Sequence, residues 1–330
     1  MNIAVFGCKS TTKYLLENLE NVKINHLITV SKEKSRKIDI ADYFDLERTA
    51  KNLDIDVYHC KKYSLKNEYD IEFINSLDID IAFVIGWQRL IPGEILDSVR
   101  AGVFGMHGSS MNLPFGRGRS PMNWSIIEDR KYFYTNLFMY DSGIDSGDIL
   151  DTVKFSISNK DTSETMHYKN TLSMKYLIEK NIKKLESAGD LSLKKQLPFN
   201  PTYYPKRMPM DSLIDWREDI HSIERFVRAV TKPFNGAFTF IDDIKLTIYS
   251  AQILCMVEFG FEEKKIGEIV ALFESGKFIV KCIDGLLLVN EYDLSNLQNS
   301  LIEKGKILKS RNIRKFTLNE FGKYDLEGEK

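Results

Sequence analysis

The sequence predicts an α/β protein, a doubly wound, mostly parallel sheet followed by a smaller C-terminal β-barrel. Three observations carry this expectation. Short apolar, β-branched runs alternate with stretches of helical spacing in the N-terminal part, the pattern of a parallel sheet with helices on its faces. Residues 79–85 (IDIAFVI) are nearly continuous in apolar residues, as a strand buried on both faces requires. Beyond residue 215 the pattern changes to closely spaced short β runs, which suggests a small barrel.

The elements follow in order. Residues 2–7 (NIAVFG) form a strand ending in glycine, and 12–19 a helix capped by Ser10 or Thr11. Residues 22–30 alternate, and 41–53 read as a helix with Tyr43, Leu46 and Ala50 on one face. A short strand at 56–59, a helix at 71–77 and the strand at 79–85 complete this part. Ligands bind beyond the carboxyl ends of such strands. That makes GWQRLIP (86–92) a candidate loop, although Trp87 could equally be packed beneath a plain strand exit. Residues 134–140 (YTNLFMY) and 149–157 read as strands, and 164–185 as a long amphipathic helix carrying His167, Tyr168, Leu172, Tyr176 and Leu177. Proline and polar residues mark 196–215 as a linker. A helix at 220–230 and β runs at 237–241, 245–251, 267–273, 277–281 and 286–291 follow, then a charged stretch, 304–330, expected to be a short helix or strand followed by a mobile tail. The organisation expected is a catalytic domain at 1–195, a linker at 196–214, a β domain at 215–312 and a tail at 313–330.

Bulk properties narrow the function. At 330 residues the chain is long enough for two domains, and 43% apolar with 28% charged residues is ordinary for a soluble globular protein. No apolar run reaches the roughly 18 residues of a membrane helix, and no secretion signal opens the chain, so a cytoplasmic location is expected. A net charge of −1 argues against a nucleic-acid partner. Cys8, Cys60, Cys255 and Cys282 lie far apart and read as reduced core residues. The five histidines form no metal-binding pair, so no metal is expected. The first turn, GCKSTTK, carries neither a dinucleotide fingerprint nor a Walker A motif.

The chemistry concentrates between residues 103 and 152. His107 stands among small residues, the Gly- and Arg-rich segment GRGR follows, and then comes the acidic turn DSGIDSGDI. An imidazole can relay a proton or donate to an oxyanion, and a carboxylate can orient the ring; His107 and Asp145 are the candidates. Ser109 and Ser110 lack a G-x-S-x-G setting, which argues against a serine hydrolase. Arg117 and Arg119 suit phosphate or loop-closing contacts, with Gly118 permitting close backbone approach. Asp141 and Asp148 read as turn residues.

HGSSMNLPFGRGRSPMNW resembles the H-x-S-L-L-P-x-x-R-G-x-x-P signature of the folate-dependent formyltransferases, and GIDSGDI resembles their G-x-D-x-G-x-I loop. GWQRLIP is similar to the loop that holds the pterin ring in that family. YYPKRMPMDSLIDW and VRAVTKPFNGAFTF resemble the linker and second-domain entry of methionyl-tRNA and sugar-amine formyltransferases. The resemblance spans nearly the whole chain. It implies a formyltransferase-like Rossmann variant with an OB-like second domain, and 10-formyltetrahydrofolate as co-substrate. It places the catalytic histidine on His107 and the aspartate on Asp145, while the family's asparagine falls on Gly105. The loop after His107 is two residues longer than usual, and Asn112 is the candidate to supply the missing carboxamide. Trp87, Gln88, Arg89, Leu90, Ile91, Gly143 and Ile144 would bind the co-substrate; Ser109, Arg117, Gly118, Arg119 and Asn123 would line the acceptor site.

RGRSPMNWSI is closer to the formyltransferases acting on amino sugars attached to nucleotides or lipid carriers than to tRNA-acting ones. A nucleotide-linked amino sugar is the acceptor expected, with a homodimer as the base-rate assembly. The alternatives are a methionyl-tRNA formyltransferase, a noncatalytic folate-binding module motivated by Gly105, and a formyltetrahydrofolate hydrolase.

Overall fold

The computed structural model describes the chain except residues 39, 41, 188–190, 295–300, 312, 314–315, 319–323 and 327–330. It contains two compact units that interleave along the chain. The first comprises Met1–Arg117, Tyr134–Phe155 and Lys169–Pro201, the second Gly118–Phe133, Ser156–Tyr168 and Thr202–Lys330. The expected cut near residue 195 therefore differs from the grouping seen, because two earlier segments pack with the later part.

The first unit is built on a seven-stranded sheet. Its strands are β1 (Ile3–Phe6), β2 (His26–Thr29), β3 (Asp56–His59), β4 (Ile81–Val84), β5 (Val103–Ser109), β7 (Tyr132–Met139) and β8 (Ile149–Ser156), in the order β3-β2-β1-β4-β5-β7-β8. β3, β2, β1, β4 and β5 are parallel, and β7 runs antiparallel to β5. The helices are α1 (Ser10–Asn18), α2 (Lys32–Ile38), α3 (Glu47–Asn52), α4 (Glu68–Ser76), the single turn α5 (Gly93–Leu96) and most of the long α7 (Ser163–Glu186). Two cores follow from the period of the strands. Ile3, Val5, Ile81, Phe83 and Phe104 face one side with Leu177 and Ile178 of α7, whereas Ala4, Phe6, Ala82, Val84 and Val103 face the other with Trp87 and Ile95. Each fully buried Val, Leu, Ile or Phe side chain among them contributes about 1.5–3 kcal/mol. The helix expected over 41–53 begins only at Glu47: Asp42 takes a left-handed backbone (φ 57°) and Tyr43 bridges to Lys9. Residue 41, the first of that expected helix, lies outside the described residues.

The second unit contains α6 (Pro121–Ile127) and α8 (Ile220–Val230), which pack on each other. α8 is capped by Asp219, whose side chain accepts from Ser222 N. It also packs with the antiparallel sheet of β10 (Ala237–Ile241), β11 (Ile244–Cys255), β12 (Ile269–Leu272), β13 (Phe278–Cys282) and β14 (Gly285–Leu294), ordered β10-β11-β14-β13-β12. The segment 306–309 bridges both outer parts of this sheet, Lys309 to Phe240 and Ile307 to Glu268, and closes it toward a barrel. Two short strands, β6 (Arg117–Gly118) and β9 (Tyr203–Tyr204), pair with each other and precede it in the chain.

The tail differs from its expectation. Its described residues include β15 (Phe316–Leu318) and β16 (Tyr324–Leu326), paired antiparallel; much of the remainder of 313–330 lies outside the described residues. The reason is aromatic packing that net charge concealed. Phe316 meets Trp124 edge-on at 5.2 Å, Tyr324 stacks on it at 4.6 Å, and the Tyr324 hydroxyl donates to Glu128. Arg207 of the expected linker lies over Trp124, Phe226 and Phe316, and burial pushes the pKa of its guanidinium down to about 10.

Candidate active site

β4 ends at Val84, which pairs with Gly105, so His107 stands two residues beyond the carboxyl edge of its parallel neighbour. β5 continues only because β7 supports it, with His107 paired to Asn136. The imidazole is buried, at 7% exposure. Its Nδ1 lies 3.4 Å from Asp145 Oδ2 and its Nε2 2.7 Å from the Gly116 carbonyl oxygen. Both ring nitrogens thus face oxygen atoms, which fixes the plane of the ring. His107 and Asp145, 38 positions apart in the sequence, meet in the first unit.

The acidic turn that delivers Asp145 is built from its own side chains. Asp141 Oδ1 accepts from Gly143 N and from Ser146 Oγ, the local bonding that makes aspartate a turn former. Asp145 itself has φ 51°, a left-handed conformation that aspartate tolerates better than most residues. Gln196 holds the turn from outside: its Nε2 donates to the carbonyl oxygens of Asp145 and Gly147, both at 2.8 Å, and its Oε1 accepts from Arg117 Nη2 at 2.6 Å. Sequence reasoning missed this residue, which it assigned to a linker. No period or motif marks a glutamine whose partners lie 49 to 79 positions away. Gln196→Ala removes three hydrogen bonds that brace this turn, and a loss of about 0.5–1.5 kcal/mol for each is expected; a lowered urea midpoint of the variant would check it.

The remaining expected residues sort by environment. Trp87 is a core residue, edge-on to Phe6 at 6.3 Å and to Tyr63 at 4.7 Å, and Ile91 is buried in the same cluster. Neither side chain faces outward, and the reason is the continuous apolar layer beneath the strand exit. The loop they anchor presents exposed Arg89 and Leu90, while Gln88 N donates to the Tyr63 hydroxyl at 3.0 Å and the Arg89 guanidinium lies 4.9 Å from the Tyr63 ring centroid. Tyr63 is a second residue the sequence did not flag. Tyr63→Phe leaves the Gln88 amide without that acceptor; a cost of about 1 kcal/mol in stability is expected, read as a lowered urea midpoint.

Asn112 does not join the pair. It is exposed, its Oδ1 accepts from Leu113 N and its carbonyl from Phe115 N, so the loop's asparagine builds a turn and makes no hydrogen bond to His107. Ser109 is fully buried and its Oγ receives Met111 N, which removes it from any acceptor surface. Arg117 is buried, and one of its guanidinium nitrogens is committed to Gln196, a loop-closing contact. Gly118, Arg119 and Asn123 belong to the second unit. There Arg119 has an exposed side chain, whereas Asn123 is buried with Nδ2 donating to the Ala229 carbonyl at 2.6 Å; its amide is spent within the protein. Gly143 and Ile144 are exposed at the tip of the acidic turn.

A profile described as formyl transferase matches residues 1–178, and one described as formyl transferase, C-terminal domain, matches 207–301. The chain belongs to the formyltransferase family. The bifunctional polymyxin resistance protein ArnA of Wigglesworthia glossinidia brevipalpis is 30% identical to it over 262 residues, which is 74% of this chain and 37% of that protein. The chain therefore spans little more than a third of the length of that relative. HypX from Aquifex aeolicus, solved in complex with tetrahydrofolic acid, superposes with TM-score 0.62 at 16% identity over 90% of this chain and 44% of that one. The N-formyltransferase from Helicobacter canadensis, solved with folinic acid and dTDP-3-aminofucose, superposes with TM-score 0.61 at 19% identity over 89% of this chain and all of that one. At these identities the two structures show that this chain shares their fold. Among its described residues no helix is long and apolar enough to cross a membrane.

Proposed function

We propose that this formyltransferase moves a formyl group from 10-formyltetrahydrofolate to the primary amine of a nucleotide-linked amino sugar, with His107 and Asp145 managing charge and protons. The observation that carries the chemistry is the His107–Asp145 pair, 3.4 Å apart beyond the sheet's carboxyl edge. In this reading the N-terminal residues 1–195 carry the catalysis and 215–312 form an accessory β domain.

When bound, the folate supplies a formyl carbon activated for attack. The acceptor nitrogen forms a bond to that carbon while the carbonyl π pair moves onto oxygen. When the pair returns, the carbon's bond to the donor nitrogen breaks; that nitrogen gains a proton and the amine loses one. The protein's task is to hold a hydrogen-bond donor near the oxygen and a carboxylate near the departing proton. Asp145 keeps the His107 ring oriented, and the Gln196 clamp keeps Asp145 in place. Leu90 and Ile144 leave large apolar side chains open, at 47% and 53% exposure, on two loops of the same unit. Exposed apolar side chains suit the face of a planar heterocycle, and to that extent the residues fit a pterin.

For the acceptor, support comes from the RGRSPMNW segment, the net charge of −1 and the sugar-nucleotide complex of the Helicobacter canadensis protein. The test is incubation with 10-formyltetrahydrofolate and a panel of amino-sugar nucleotides and aminoacyl-tRNA, followed by mass measurement of each acceptor. Addition of one formyl group to an amino-sugar nucleotide is expected; formylation of the tRNA alone would overturn the acceptor assignment.

A further inference from the structure

His107 already faces an acceptor at each ring nitrogen, so a developing oxyanion calls for a second donor on the same face of β5. Residue 105 lies on that face, two positions and about 7 Å before His107. It is glycine. A Cβ at that position would lie 1.8 Å from Tyr140 Cε1 and 2.6 Å from Tyr140 Cζ. The tyrosine ring therefore occupies the volume that a side chain on residue 105 would fill.

The ring is held firmly. Tyr140 N donates to the Val103 carbonyl at 2.7 Å, and the ring stacks on Phe138 with centroids 5.3 Å apart. It packs against the apolar layer that contains Trp87 and Val84, and against Leu113 and Ile149. The residue is half-buried. Burial, and then the charge of Asp145, push its phenol well above the ordinary tyrosine range, so the group keeps its proton and remains a donor. No hydrogen bond from the Tyr140 hydroxyl is made among the described residues. Of the two asparagines nearby, Asn112 is spent on its turn; Asn136, fully buried beside His107, accepts from Thr152 Oγ1 at 2.7 Å, and its Nδ2, without a hydrogen-bond partner among the described residues, is closed off from solvent and so from a bound substrate.

We propose that the Tyr140 hydroxyl is a catalytic group of this chain, donating a hydrogen bond to the formyl oxygen as charge develops there, from the space that Gly105 leaves open. This rests on the formyl-transfer reading of the His107–Asp145 pair. Tyrosine lends its proton to a hydrogen bond and does not release it, so the proton balance of the transfer is unchanged.

Tyr140→Phe keeps the ring and removes only the donor. With the wild-type acceptor found, kcat is expected to fall about 10²-fold, with KM for both substrates and the thermal midpoint nearly unchanged. The double variant Tyr140→Ala with Gly105→Asn, which exchanges the phenol for a carboxamide, is expected to recover part of the rate lost in Tyr140→Ala alone. If wild type and Tyr140→Phe transfer at the same rate, this assignment is wrong while the formyltransferase reading stands. If wild type formylates no amine, both fall together. A parallel loss of folate affinity or of thermal midpoint in Tyr140→Phe would reduce the residue to a packing role and overturn the assignment.

Discussion

Replacing His107 by alanine, or Asp145 by asparagine, is expected to lower the transfer rate about 10²- to 10³-fold, the cost of losing one positioned donor or its orienter. Folding should survive. The His107 ring makes two polar contacts, each contributing about 0.5–1.5 kcal/mol, against the about 5–15 kcal/mol that holds a domain. Asp145 sits at an exposed turn and is 20% exposed at its side chain, so it carries none of the apolar core. Asparagine is the informative replacement there because it tolerates the left-handed backbone at φ 51°, whereas alanine would add a conformational cost of its own. Far-UV circular dichroism and a thermal melt alongside single-turnover rates would separate chemistry from folding. Wild-type rates in both variants would show that the pair is not catalytic.

Gly147→Ala should have the opposite signature, losing stability and activity together. A Cβ at this position would lie 1.6 Å from the Met139 carbonyl oxygen and 2.8 Å from its carbon. The obstacle is strand backbone, so it cannot be relieved by rotating a side chain. Met139 N is in turn bonded to the Asp148 carbonyl, which ties the end of β7 to the close of the acidic turn. A methyl group must push these apart, at about 1–3 kcal/mol or more. The Gly147 carbonyl is also one of the two acceptors for Gln196, so the turn that carries Asp145 would lose its clamp. A lowered urea midpoint together with a rate near that of Asp145→Asn is expected; wild-type values for both would show that the turn is looser than its geometry implies.

The legible and illegible parts of the molecule separate by the range of the interactions involved. Strand 79–85 and the alternation in 134–140 are readable because side-chain period is a property of neighbours, and both occur where the structure has β4 and β7. The same alternation puts Asn136, Phe138 and Tyr140 on one face, though nothing in it says that this face meets His107 or that Gly105 makes room for a ring. The helix expected at 41–53 is cut short by the left-handed turn at Asp42, a local choice that periodicity overlooks. The tail hides its structure from a reading of charge, because its charges outnumber its aromatics while Phe316 and Tyr324 are the residues that pack.

Pattern along the chain was enough to give the α/β class, most strands of the main sheet, the loops beyond its edge and the imidazole and acid that meet there. Those features depend on hydrophobic period and on motifs a few residues long. The surroundings of the pair came only from the folded chain: Gln196 bracing the acidic turn, Tyr63 beneath the 86–92 loop, Asn112 and Asn123 diverted to other bonds, and Tyr140 standing where residue 105 has no side chain. Each of these is a hydrogen bond or a steric exclusion, and apart from Asn112 each joins residues far apart in the chain. Such contacts leave no period in the sequence, and their partners become known only when the backbone brings them within reach.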